Sequence, residues 1–293
     1  MKILIIGGSG VIGYNLLVDF IQEGMNTDFT YFKHKLPIKN GYFLDITKRD
    51  DTIKVIDRCK PDVVIHTVGI TNVDLCENDH KLADKINVKG TLNVIEGCKK
   101  TKSKLIFLST SAVFDGTKSE YFEDDLMSPI SYYGFTKKIA EEEIKKSRLQ
   151  YLILRIDQPY FWTEKWHHTN SVLRVLEGLK ETKNFEEISD WYNTPTFIPD
   201  IIHAIKKLIN LDCKGVYHVV GHDFINRYKW ALDVAEIFKL DKNKISSIIS
   251  EKLDLPAKRG NVKLNNEKIE KETKIVMKGV KEGLKIMVKT KND

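Results

Sequence analysis

Seven residues, Gly7-Gly8-Ser9-Gly10-Val11-Ile12-Gly13, constrain this chain more than any other stretch. They follow a short strand-like run at 2–6, apolar from Ile3 to Ile6. They precede a segment, 11–23, where Val11, Ile12, Leu16, Leu17, Phe20 and Ile21 recur at helical spacing and Gly24 closes the pattern. A buried strand turning through glycines straight into a helix is the opening unit of a doubly wound α/β fold. Gly7 permits the tight turn, Gly10 lets a pyrophosphate approach the backbone, and Gly13 lets helix pack close to sheet. The helix start then offers unpaired N–H groups and the positive end of a dipole to phosphate. The motif predicts a dinucleotide site over Gly7, Gly10, Val11, Ile12 and Gly13.

The same alternation continues along the chain. Strands are expected at 29–32, 42–44, 63–65, 105–108, 152–155 and 216–220, and helices at 50–60, 79–100 and 133–146. Because the strands are apolar throughout, they belong to a parallel sheet covered on both faces. The expected fold is α/β, a Rossmann-type doubly wound parallel sheet with a smaller C-terminal substrate-binding lobe. The alternation lapses at 159–195 and after 222. Residues 1–158, with 196–221 returning to them, are therefore assigned to the NAD(P)-binding domain, and 159–195 with 222–293 to the lobe.

Composition narrows the function classes. With 42% hydrophobic and 30% charged residues, the 293-residue chain reads as globular, not disordered. Its longest apolar runs are strand length, too short to span a bilayer, and its N-terminus lacks a signal-peptide pattern. Cys59, Cys76, Cys98 and Cys213 are scattered without a CxxC pair, which argues for a reducing cytoplasm over a disulfide framework or a zinc site. A net charge of +6, spread through Lys/Glu-rich stretches, reads as solvated helix faces rather than a nucleic-acid surface. It would still attract a substrate carrying a diphosphate.

The residues after the second strand, Tyr31-Phe-Lys33-His34-Lys35, include no carboxylate that would favour the ribose hydroxyls of NAD. Lys33 and Lys35 suit a 2′-phosphate, so NADPH is favoured, with NADH possible. Asp45 and Ile46, after the third strand, are placed for the adenine. Thr67, Val68 and Gly69 follow the fourth and are small enough to pass under the cofactor; His66 reads as a packed strand residue.

Tyr133 and Lys137 lie four apart on an expected helix, hence on one face. A phenol titrates near 10, but a neighbouring ammonium and an oxidised nicotinamide would stabilise its phenolate and lower that value. Lys137 could also hold the nicotinamide ribose. Tyr132 has Thr136, not lysine, four residues on. Ser109-Thr110-Ser111 at the end of the preceding strand supplies a hydroxyl for a substrate carbonyl, with Thr110 preferred and Ser111 in reserve. The combination describes a nicotinamide-dependent carbonyl reductase.

With these residues in view, the chain resembles the extended short-chain dehydrogenase/reductases, and within them the dTDP-4-dehydrorhamnose reductase group. The resemblance rests on Gly7 to Gly13, the run 60–66 (KPDVVIH), Thr71-Asn-Val-Asp74, Asn87 to Asn93, Ser109-Thr110 with Val113-Phe114-Asp-Gly116, and Tyr133 to Lys137. It is looser beyond about residue 155. It implies reduction of the 4-keto group of a nucleotide-linked 6-deoxy sugar by NAD(P)H. Thr110, Tyr133 and Lys137 would then be catalytic, with Ser109 beside the cofactor. Thr71, Ser111, Val113, Phe114 and Arg259 would lie toward the substrate, Arg259 at its diphosphate. Three departures weaken the substrate assignment: Ser111-Ala112 where the group carries Asp-Tyr, the run 156–162 (IDQPYFW), and Arg259-Gly260 in place of Arg-Pro.

Ser111-Ala112 lacks the acid pair of a sugar-nucleotide 4,6-dehydratase. A nucleotide-sugar 4-epimerase stays open. So does a non-catalytic NADP-binding regulatory subunit of a synthetase, because the β subunit of methionine adenosyltransferase is similar to this group and keeps YxxxK. His167-His168 lack a third ligand, so no metal is expected, and Trp162 and Trp166 read as core aromatics. The expected partners are a nucleotide-sugar substrate and, as an open option, a second copy of the chain, with no nucleic acid and no membrane.

Overall fold

A computed structural model describes residues 1–181 and 184–290; residues 182, 183 and 291–293 of the expected lobe lie outside the described residues. The N-terminal half alternates β1 (Lys2–Ile6), α1 (Val11–Gln22), β2 (Asn26–Tyr31), β3 (Gly41–Phe43), α2 (Arg49–Cys59) and β4 (Val63–His66). It continues with the short helices α3 (Val73–Asn78) and α4 (His80–Ala83), then α5 (Gly90–Thr101), β5 (Lys104–Thr110), α6 (Tyr132–Lys146) and β6 (Tyr151–Ile156). Next come β7 (Pro159–Tyr160), α7 (Ser171–Glu181), β8 (Phe185–Ile188), β9 (Tyr192–Asn193), β10 (Thr196–Phe197), α8 (Ile198–Asn210) and β11 (Gly215–His218). The chain closes with β12 (Ile225–Asn226), α9 (Arg227–Ile237), β13 (Ile245–Ile248), α10 (Glu267–Thr273) and α11 (Val280–Thr290).

Seven strands form one parallel sheet in the order β11-β6-β5-β4-β1-β2-β3. The order reverses at β1, and the C-terminal ends of β1, β4 and β5 open a crevice there, as doubly wound folds require. Each face of the sheet carries its own core. Leu16, Leu17 and Phe20 of α1 meet Ile201, Ile205 and Leu208 of α8 on one side; Ile56, Val94, Cys98 and Ile144 cover the other. The α8 sequence repeats isoleucine or leucine every three to four residues, and each such side chain, fully buried, contributes about 1.5–3 kcal/mol.

A third cluster lies apart from the sheet, joining Val172, Leu176 and Leu179 of α7 to Trp230 and Val234 of α9 and Leu284 of α11. This is the region where the sequence alternation lapses.

The single helix expected over 79–100 is instead α4, a π-helical stretch Asp84–Lys89, and α5. The cause is Asn87. Its Oδ1 accepts from Ile70 N at 2.8 Å, while its Nδ2 donates to Ile70 O and Thr136 Oγ1, both at 3.1 Å. Widening one turn lets this buried amide tie the loop after β4 to α6, a use typical of π-bulges near functional sites.

Candidate active site

One cleft of about 620 Å³ runs along the C-terminal edge of the sheet, from the glycine turn to the C-terminal lobe. At one end are Gly10 to Gly13 and Thr67 to Gly69; in the middle, Thr110, Ser111, Tyr133 and Lys137; at the far end, Arg174, Trp191, Arg227 and Arg259.

The glycine turn divides its labour between folding and binding. Gly7 has φ +93°, and a Cβ there would strike Val68 and Thr67; one on Gly13 would overlap the Gly7 carbonyl oxygen. Gly10 is different: a Cβ there would meet only the Gly7 oxygen, at 3.4 Å, so the space in front of it faces the cleft. Gly10 is also the N-cap of α1 and brings no side chain to cap it, which leaves the first N–H groups of the helix without a side-chain partner. An uncapped helix start beside an open glycine fits a dinucleotide pyrophosphate.

At the centre, Ser131 caps α6 by accepting from Gly134 N at 3.2 Å, which sets Tyr133 in the first turn. Thr110 Oγ1 accepts from Ala112 N at 3.2 Å, and the Thr110 hydroxyl lies near enough to the Tyr133 phenol to favour its ionised form. Lys137 Nζ donates to Leu108 O at 2.6 Å and lies 3.9 Å from the centre of the Phe107 ring. Tyr132 turns away and stacks on His80 at 3.6 Å.

The expected lowering of the phenol pKa by Lys137 does not hold in the protein alone. Burial pushes Tyr133 up to about 12 and Lys137 down to about 7, because each loses the water that would solvate its charged form. A phenol so held is neutral at physiological pH and able to give a proton.

Beneath this centre lies a polar layer that the sequence motifs did not disclose. Arg155, fully buried on β6, forms a two-pronged ion pair with Glu141 of α6, at 3.0 and 2.8 Å. Arg155 also donates to Glu123 O at 3.0 Å and lies 3.3 Å from His218 Nε2. Ser109 was expected beside the cofactor; it borders the cleft, but its hydroxyl donates to Glu141 at 2.6 Å and is committed to this layer. His66 is fully buried, and burial holds it neutral, pushed down to about 3.

Other expected residues fall in different places. Thr71, Ser111, Phe114 and Arg259 border the cleft. Val113 does not: it is fully buried, packed with Phe114, Tyr121 and Leu264 in a small core. Ile46 is likewise core, packed where Gly90 leaves room for its side chain. Lys33, His34 and Asp45 lie outside the cleft wall. Both Lys33 and His34 are exposed, and Asp45 accepts from Thr47 N and Oγ1 at 2.9 and 2.8 Å. Trp166 and His167 reach from the lobe to the Ser9 carbonyl, at 3.2 and 3.0 Å, while Trp162 donates to Met287 O.

The far end of the cleft is basic. Arg259 pairs with Asp74 at 2.5 Å and lies 4.8 Å from the Trp191 ring; Arg227 faces the same ring at 5.6 Å; Arg174 pairs with the buried Glu187. Asp157, at the end of β6, accepts from Ser111 Oγ and Thr194 N, and burial pushes it up to about 6. No local pattern singled out Arg174, Trp191, Arg227 or Asp157. Only the unfamiliar run after Arg155 hinted that something there differed.

The profile of the RmlD substrate binding domain matches residues 1–292. The chain belongs to that family. The chain is 24% identical over 275 residues to methionine adenosyltransferase 2 subunit beta of Mus musculus, covering 92% of this chain and 81% of that one. It is 28% identical over 240 residues to the dTDP-4-dehydrorhamnose reductase of Aggregatibacter actinomycetemcomitans, covering 80% and 78%. The crystal structure of dTDP-4-dehydrorhamnose reductase from Bacillus anthracis, in complex with NADP, superposes with a TM-score of 0.89 at 24% identity over 99% of this chain and 100% of that one. RmlD-family membership thus accounts for the whole fold, sheet and lobe together.

Proposed function

We propose that this protein is an NADPH-dependent reductase of the 4-keto group of a nucleotide-linked 6-deoxy sugar, of the dTDP-4-dehydrorhamnose reductase kind. The observation that carries the reading is the meeting of Thr110, Tyr133 and Lys137 in one cleft continuous with the uncapped glycine turn. The resemblance to reductases along nearly the whole chain supports it.

NADPH, when bound, supplies the hydride that reduces the sugar's carbonyl carbon. Gly10 and the α1 N-terminus would hold its phosphates, with Thr67 to Gly69 beneath it and Lys33 and His34 near the adenosine. Tyr133 gives its phenolic proton to the carbonyl oxygen as that oxygen gains charge, and the neutral state enforced by burial suits this donor role. Thr110 donates a hydrogen bond to the same oxygen. Lys137, anchored on Leu108 O, would be drawn to its charged form by the phenolate left behind and would hold the cofactor's ribose. Arg259 and Arg227, over Trp191, would take the diphosphate.

We assign residues 1–158 and 196–221 to the cofactor domain and the remainder to the substrate lobe. The separate apolar cluster of α7, α9 and α11 supports this division. Four free cysteines support a cytoplasmic setting.

The test is NADPH oxidation in the presence of dTDP-4-dehydrorhamnose. Tyr133→Phe is expected to lower kcat by about 10²–10⁴-fold while NADPH binds with unchanged Kd; equal loss of binding would remove the assignment. Tight NADPH binding without turnover by the intact protein would favour a regulatory subunit, the reading its resemblance to the mouse protein suggests.

A further inference from the structure

We propose that Ser111, oriented by Asp157, reads a sugar hydroxyl: it presents a hydrogen-bond acceptor to the O–H on the ring carbon next to the reacting carbonyl. This rests on the 4-keto sugar reading above and adds a specificity-determining contact to it.

Both residues border the cleft and both are only 6% exposed. Ser111 Oγ donates to Asp157 Oδ1 at 2.9 Å. The other carboxylate oxygen accepts from Thr194 N at 2.8 Å and Asn193 Nδ2 at 3.4 Å. The Asp157 backbone is clamped as well, its N–H donating to Thr196 Oγ1 at 3.2 Å and its carbonyl accepting from that hydroxyl at 2.8 Å. Asp157 therefore cannot swing away. Ionised, it can only accept.

A serine hydroxyl has one proton and two lone pairs. With the proton committed to a fixed carboxylate, only lone pairs remain to face the cleft. Ser111 is thereby barred from the donor role that the sequence left open for it, and the carbonyl is left to Thr110 and Tyr133. What suits Ser111 is a ligand donor within one residue's reach of Thr110. On a 6-deoxy sugar with a keto group at C4, the neighbouring ring carbons carry a methyl group on one side and a hydroxyl, at C3, on the other. The methyl offers no donor. The C3 hydroxyl does.

Ser111 follows Thr110 directly in the chain. Its hydroxyl is bonded to an acid brought from a different strand end, so the cleft keeps a carboxylate while presenting a hydroxyl oxygen to the ligand.

The experiment compares NADPH oxidation with dTDP-4-dehydrorhamnose and with its 3-deoxy analogue, in the wild-type protein and in Ser111→Ala and Ser111→Thr. The wild type should prefer the hydroxylated sugar by roughly fivefold to tenfold in kcat/KM, the contribution of one ordinary hydrogen bond. Ser111→Ala should erase that preference by raising KM for the hydroxylated sugar alone, with kcat nearly unchanged. Ser111→Thr, which keeps the hydroxyl, should retain it. An equal loss on both sugars in Ser111→Ala, or no preference in the wild type, would overturn the proposal and leave the reductase reading standing. Turnover of neither sugar by the wild type would instead remove the reductase reading. The proposal would then be decided by calorimetry with dTDP-rhamnose and its 3-deoxy form, where equal affinities would overturn it and a Ser111-dependent difference would uphold it.

Discussion

The two ends of the cleft are built on different principles. The glycine-turn end is mostly backbone: Gly7, Gly10, Gly13, an uncapped helix start and the small residues after β4, supplied by two neighbouring strand ends. The far end is mostly side chain: Asp157 from the end of β6, Arg174 from α7, Trp191 ahead of β9, Arg227 from α9 and Arg259 from a loop. A backbone site needs a particular local conformation, and a contiguous motif specifies that. A side-chain site needs only that distant segments meet, and no short stretch specifies it. The first therefore suits a cofactor bound alike by many proteins, and the second a substrate that differs among them.

The layer under the centre of the cleft, between these ends, is where the largest effect is expected. Glu141→Ala would leave Arg155 charged and unpaired in the interior, a change that costs about 3–5 kcal/mol. Denaturant unfolding should show it as a lower midpoint, and the variant should lose function at both ends of the cleft. Stability unchanged within about 0.5 kcal/mol would mean the layer is not what holds α6 against β6.

The backbone end can be split by two substitutions of the same size. Gly13→Ala puts a methyl group onto the Gly7 carbonyl and should destabilise the fold by roughly 1–3 kcal/mol. Gly10→Ala meets only that oxygen, at 3.4 Å, so stability should barely change while NADPH affinity falls by on the order of tenfold. If Gly10→Ala destabilised the protein as much as Gly13→Ala, the space before Gly10 would be packing room and not a phosphate site.

The side-chain end should respond separately. Arg259→Gln removes a charge held between Asp74 and Trp191 and should raise KM for the sugar nucleotide roughly tenfold, with NADPH affinity unaltered. Parallel weakening of NADPH would show that the two ends are not independent.

Much of the fold was legible because it repeats simple patterns. Strands that are apolar at every position have no solvent face, so a parallel, doubly covered sheet was the expected architecture, and the seven strands of the sheet form it. The central site was legible for the same local reason: Tyr133 and Lys137 share one turn of α6, and Thr110 ends a strand. Where reading failed, the cause was long-range. Asn87 widens a helix because of what it touches on Ile70 and Thr136. Ser109 is taken by Glu141, 32 residues away in sequence. Val113 and Ile46, both expected at the site, face cores instead.

By itself, the sequence determined the sheet, the phosphate-suited turn and the hydroxyls that meet in the cleft, since each depends on conformational preference or on spacing within one element. Tertiary structure alone decided the ionisation states and the ligand-facing side chains. Burial is a property of the assembled fold: it holds Tyr133 neutral, lowers Lys137 and raises Asp157. A hydroxyl such as Ser111 becomes donor or acceptor only when its partner, here 46 residues onward, is fixed beside it.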